Sequence, residues 1–184
     1  YFLFSFIFFS IIAHGQSDTN SFYFGGIIDH TNSPSQAGTT IGFNFEIPLG
    51  ESGFLINYHY GLGFNSENNL IYHTPILGGA GMYLLANSGN DDFLTKAGIL
   101  LILIPEGISY TIYLDNTKQL TPYFNPLGSE LVSGGSLVSS KEGGFRLRCS
   151  IGKKMYMAPH IGIKYINGNQ PWGFSAGISI GVIH

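Results

Sequence analysis

Charge is scarce in this sequence. Only 10% of the residues are Asp, Glu, Lys or Arg, against about a quarter in typical soluble domains. A water-exposed surface carries more than that, so an ordinary soluble globule is disfavoured. The 8 basic and 11 acidic residues leave a formal charge of −3. No basic run or stripe accompanies them, which argues against a nucleic-acid partner. Cysteine is nearly absent: Cys149 stands alone, so no internal disulfide can form. It alternates into an apolar face and reads as a small hydrophobe. No activating His or Lys pattern surrounds it, which speaks against a reactive thiol. The six histidines form neither H-x3-H nor H-E-x-x-H, so no zinc spacing is present. Gly25-Gly26 and Gly78-Gly79 lack the strand–GxxxxGK–helix context of a phosphate loop. No metal and no cofactor are expected.

Long apolar runs are missing too. The run Tyr1 to Ile12 falls short of the roughly 20 residues a transmembrane helix needs. It leads into Ala13-His14-Gly15 and then polar Gln16-Ser17-Asp18, the layout of a signal-peptide core with a small-x-small cleavage site. The expectation is an N-terminally incomplete signal peptide over 1–15, followed by one exported domain over 16–184.

What is abundant is glycine and aromatic residues, 26 Gly with 15 Phe and 11 Tyr, arranged with a period of two. In the last segment Trp172, Phe174, Ala176, Ile178, Ile180 and Val182 alternate with Gly173, Ser175, Gly177, Ser179 and Gly181. A period of two places one set on each face of a strand. The same pattern predicts strands near 21–30, 39–49, 54–64, 106–114, 119–127, 144–152, 155–166 and 172–183, with Pro122 and Pro126 weakening the fifth. Between 66 and 105 the period changes. Thr74-Pro75 and Asn90-Asp91-Asp92 read as helix starts, and Pro105 closes the segment. A helical hairpin or lid is expected there, its second piece, 91–104, being readable as helix or strand.

The polar face decides which way the barrel is turned. It carries Gly, Ser, Asn and Thr with few charges, which suits the interior of an eight-stranded barrel better than a solvated surface. The apolar face carries no charge, as lipid exposure requires. Connections two, four and six are short (50–53, 115–118 and 152–154), the first, third and fifth are long and the seventh is intermediate, the asymmetry of outer-membrane barrels. An all-β, eight-stranded antiparallel transmembrane β-barrel is therefore expected, in the bacterial outer membrane, with a helical insert (about 66–105) between strands three and four. In strand number, dyad pattern and loop asymmetry the chain resembles the small outer-membrane proteins of the OmpA-transmembrane-domain and OmpX type. Its Phe/Tyr-rich strands, with segments such as Ile104-Pro-Glu-Gly107, look like exported barrels of the Bacteroidota. The chain departs from the first resemblance by ending in Val182-Ile183-His184 rather than in an aromatic residue.

This orientation assigns Asp29, Glu46, Glu106, Arg146, Arg148 and Lys164 to a charge network in the lumen, joined by His59 and His160. Buried charges of both signs pair, because an isolated one is strongly destabilising. Eight strands leave an interior just wide enough for side chains to fill, so no wide pore is expected. Tyr58, Tyr60, Trp172 and Phe174 read as interfacial girdle residues. The leading expectation is a structural or interaction role, with outer-membrane lipid as the surrounding partner and the insert as a docking surface for a larger membrane complex. Two alternatives stand beside it. Some small outer-membrane barrels are lipid A-modifying hydrolases, which makes His59, His73, Glu106 and Ser109 candidate catalytic residues. A secreted lipocalin-like lipid binder would reverse the two faces.

Overall fold

The computed structural model describes residues 21–32, 37–89, 91–132, 136–167 and 172–184; the expected signal segment 1–15 lies outside them. In chain order the elements are β1 (Tyr23–Asn32), β2 (Gly38–Pro48), β3 (Phe54–Asn65), β4 (Leu70–Pro75), α1 (Gly78–Asn87), α2 (Asp92–Ile102), β5 (Gly107–Tyr110), β6 (Ile112–Tyr113), β7 (Lys118–Val132), β8 (Ser136–Ile151), β9 (Met155–Ile166) and β10 (Gly173–Ile183). Every strand pairing is antiparallel, and β10 returns to β1 with Tyr23 opposite Ile183 and Asn32 opposite Phe174. The sheet is therefore closed. β4 and β5 both lie between β3 and β7, and β6 continues along β7. These three pieces make one stave, so the barrel has eight.

Two expectations about the strands need correction. Residues 128–143 are not a loop: β7 runs on to Val132 and β8 begins at Ser136. Pro126 is accommodated where the β7–β8 register shifts between Asn125 and Gly128, a bulge that removes the need for its missing donor. Similarly, only residues 66–69 separate β3 from β4, so connections three and five are as short as the others. The length alternation does not exist; what distinguishes this barrel is where its insert leaves the wall.

The helical insert is present, and it interrupts the fourth stave instead of preceding it. Ile76 N donates to Leu127 O (2.6 Å) and Leu127 N donates to Glu106 O (3.0 Å). One ladder position of β7 thus meets the amide of Ile76 and the carbonyl of Glu106, and everything between is extruded from the wall. Both helical pieces are α-helices. Asp91 caps α2, its carboxylate accepting from Phe93 N and Leu94 N, as an N-cap acid does. Thr74-Pro75 is not a helix start, because those residues stay in the ladder opposite Ser129 and Gly128. The two helices approach closely through a glycine pair: a Cβ on Gly81 would lie 2.6 Å from Gly98 O, and one on Gly98 2.9 Å from Gly81 O. Small residues at a helix crossing are the packing used where no water drives association.

Polarity is reversed relative to a soluble protein. Asp29, Asn44, Glu46, Thr121, Arg148 and Ser179 are buried, whereas Ile41, Leu62, Phe64, Phe145, Ile161 and Phe174 are exposed. Along β9 the outward apolar positions run from Met155 to Ile163. Those residues span roughly 30 Å at about 3.3 Å each, or about 21–25 Å along the barrel axis once strand tilt is included. That matches the height of a lipid-facing band. The charged outward-facing strand residues among those described, Lys118 and Lys141, lie at opposite margins of it. Lys141 shares a surface groove with Trp172 and Phe124, and Trp172 packs on Tyr165 with 5.2 Å between ring centres. Beside Lys118, Asp115 accepts from Thr117 N and Oγ1 at 2.7 Å, which holds its carboxyl below the usual carboxylate range.

Candidate functional site

Inward-facing positions of all eight staves converge on a polar lumen. Toward the end that carries Phe22 and His184, Glu46 on β2 is clamped by two guanidinium groups from β8. One carboxylate oxygen meets Arg146 and the other Arg148. Arg148 also donates to Gln119 Oε1 (3.1 Å) and lies over the ring of Tyr23 at 3.6 Å. Its planar cation is thus satisfied by a carboxylate in one direction and a π face in another.

Further along the axis, His160 Nε2 lies 3.1 Å from Asp29 Oδ1. Glu142 Oε1 accepts from Tyr123 Oη (2.6 Å) and Ser175 Oγ (2.7 Å). Asn57 donates to Asn125 Oδ1 (3.0 Å), and its own Oδ1 accepts from Ser109 Oγ (2.8 Å). Lys164 Nζ pairs with Glu130 Oε1 at 2.6 Å, and Glu130 in turn lies 3.8 Å from His73 Nδ1. His73 Nε2 is 3.0 Å from Glu106 Oε1, and the rings of His59 and His73 are 4.5 Å apart.

All six residues assigned to the lumen from the sequence are inside it: Asp29, Glu46, Glu106, Arg146, Arg148 and Lys164 are each at most 5% exposed. Glu106 arrives there by an unexpected route. It stands next to inward-facing Gly107, so strict alternation would turn it toward lipid; the break in the stave lets its carboxylate swing inward against His73. Two members of the network, Glu130 and Glu142, were not anticipated, because they lie in the segment read as a loop. The signal for Glu142 was present in the alternation Ser140, Glu142, Gly144, Arg146, Arg148 against Lys141, Gly143, Phe145, Leu147.

The four candidate catalytic residues come together only in part. His73 meets Glu106 and stacks near His59, but the Ser109 hydroxyl is given to Asn57. Of the girdle candidates, Trp172 (61% exposed) and Phe174 (75% exposed) stand at the start of β10. Tyr58 and Tyr60 occupy the middle of β3, not its end. Their hydroxyls donate to the last carbonyls of the insert, Tyr58 to Leu103 O (2.7 Å) and Tyr60 to Ile102 O (3.2 Å). They fasten the insert to the wall, satisfying carbonyls that a helix end leaves open. Inside the lumen a void bordered by Asp29, Asn44, His59 and Arg146 measures about 20 Å³, close to the room one water needs.

Closed antiparallel staves, an uncharged apolar band outside and a polar interior define the class: a transmembrane β-barrel of the bacterial outer-membrane type. Two solved structures share the fold. One is the N-terminal β-barrel domain of Pseudomonas aeruginosa OprF, at 8% identity and TM-score 0.55, covering 89% of this chain and 98% of that one. The other is Neisserial surface protein A, at 11% identity and TM-score 0.50, covering 89% of this chain and 94% of that one. No protein-family model matches the chain, and no curated protein matches it either.

Proposed function

We propose that this protein is an outer-membrane barrel with a filled lumen and a structural or interaction role, not a conducting pore. The observation that carries this reading is a lumen filled by two paired networks, Glu46 with Arg146 and Arg148, and Lys164, Glu130, His73 and Glu106 in sequence, beside a void of about 20 Å³. Eight strands enclose little more than their own side chains, and here those side chains are long and mutually paired. The same networks argue against a solute-sized ligand cavity. The hydrolase reading is weakened because its candidate serine, Ser109, donates to Asn57 and not to a histidine.

The interaction role rests on the hairpin. Its foot is apolar, with Ile99, Leu100 and Leu103 exposed, while its tip carries Asp91, Asp92 and Lys96, the last two ion-paired at 2.6 Å. At about 1.5 Å per residue each helix reaches roughly 15 Å, about two-thirds of the height of the apolar band. The hairpin thus offers a larger membrane complex an apolar flank at lipid depth and a polar tip.

Reconstitution into planar lipid bilayers tests the filled lumen. The purified protein is expected to give no sustained openings, with rare steps well below porin size at most. Stable openings of porin size in the wild type would overturn the reading.

A further inference from the structure

The break in the fourth stave gathers a second kind of chemistry. His59 on β3, His73 on β4 and Glu106 at the end of the insert each offer one donor atom, and these atoms lie within 4.8 Å of one another, all buried. Their bonding is incomplete. Among the described residues, His59 Nε2, His73 Nδ1 and Glu106 Oε2 have no hydrogen-bond partner. His59 is only 8% exposed, and a buried polar atom left unpaired loses the hydrogen bonds it had in water. Nearby lumen groups show the contrast. Asp29, Glu142 and His160 form a similar cluster, but there Glu142 accepts two hydrogen bonds and Asp29 holds His160, leaving one orphaned atom, His160 Nδ1, among the described residues, against three here.

We propose that His59, His73 and Glu106 bind a divalent transition-metal ion of zinc-like character inside the barrel wall. Two imidazoles and one carboxylate suit borderline ions such as zinc and not calcium or magnesium, which prefer oxygen ligands alone. Tetrahedral binding needs donors about 3.3 Å apart, given metal–nitrogen distances of about 2.0–2.1 Å, so small side-chain rotations close the site. Glu130, 3.8 Å from His73 Nδ1, stands where an outer carboxylate orients a ligating imidazole whose Nε2 faces the metal. Gly128 keeps the carboxylate's place open: a Cβ there would lie 2.9 Å from Glu106 Oε1 and 2.6 Å from Ser140 Oγ.

The position gives the ion a purpose. β3 pairs with β4 at Gly61–Phe64 and with β5 at Phe54–Asn57, so the stretch Tyr58–Tyr60 faces the break. An ion held by His59, His73 and Glu106 staples β3 to both margins of that break.

The test uses full-length protein extracted in detergent, stripped with a chelator, titrated with zinc, and followed by calorimetry and by the temperature at which the folded band is lost on a gel. Wild type is expected to take up one equivalent and to gain thermal resistance. His59→Ala, which removes no observed hydrogen bond, is expected to weaken zinc binding by more than ~100-fold and to lose that gain while remaining a folded barrel. Glu130→Gln is expected to weaken binding by about 10–100-fold, the range for outer partners of a ligand. Should His59→Ala fold poorly, His59→Gln provides the same comparison. No zinc uptake by wild type, equal affinity in wild type and His59→Ala, or a loss produced only by His160→Ala would overturn the proposal.

Discussion

Replacing Glu46 with alanine is expected to destabilise the barrel by about 3–5 kcal/mol, the usual cost of leaving a buried charge without its partner. Two cations depend on this one carboxylate: Arg146 and Arg148 each meet one of its oxygens, and Glu46 is 1% exposed. Arg148 retains Gln119 and the Tyr23 ring; Arg146 keeps, among the described residues, a ring contact 5.2 Å from the centre of Tyr123. Adding Arg146→Met to Glu46→Ala is therefore expected to recover part of the loss, since exchanging a whole buried pair for well-packed apolar groups is often neutral. Urea unfolding in lipid vesicles, followed through Trp172, the single tryptophan, measures both. A midpoint unchanged in Glu46→Ala would mean that the clamp contributes nothing to stability.

Excising residues 77–106 is expected to leave a folded barrel, although it removes the entire insert. The reason is register. With respect to β3, β4 ends at a level that β5 would continue if Ile76 were joined directly to Gly107. Alternation is preserved as well: Pro75 inward, Ile76 outward, Gly107 inward, Ile108 outward. The joined stave gains ladder bonds opposite Tyr58–Tyr60 and loses only Glu106 from the lumen, where His73 still has Glu130 nearby. Circular dichroism and protease resistance of the excised protein should match the wild-type barrel once the helical signal is subtracted. Failure to refold would show that the hairpin is needed to complete the wall. If the hairpin is the docking surface, partners that co-purify with wild type are lost from this variant.

How much of this was legible in the sequence depends on the kind of contact. The period-two pattern located the wall because lipid outside and a crowded lumen inside impose opposite chemistry on alternate residues. That is why Arg146, Arg148 and Asp29 could be assigned inward without knowing their partners. The pattern failed where backbone geometry departs from a regular strand. At Asn125–Gly128 the bulge shifts the phase, and beyond it glycines and serines resemble a loop, hiding Glu130. At Ile76 and Glu106 the chain leaves and re-enters the wall, and nothing in local composition marks that two residues so far apart share one ladder position. Metal-type spacing was invisible for the same reason: His59 and His73 are brought together across neighbouring strands, not along one helix. Tyr58 and Tyr60 resembled girdle residues because an outward tyrosine is also what the open carbonyls of a helix end against the wall need.

Everything above rests on closure of this chain into a barrel whose apolar face meets lipid. Electrophoretic mobility of the detergent-extracted protein, unboiled against boiled, tests it most directly. A compact, faster band in the membrane fraction that shifts on boiling is expected, because a closed ladder of eight staves resists detergent until heated. A protein recovered from the soluble fraction, with the same mobility before and after boiling, would contradict it.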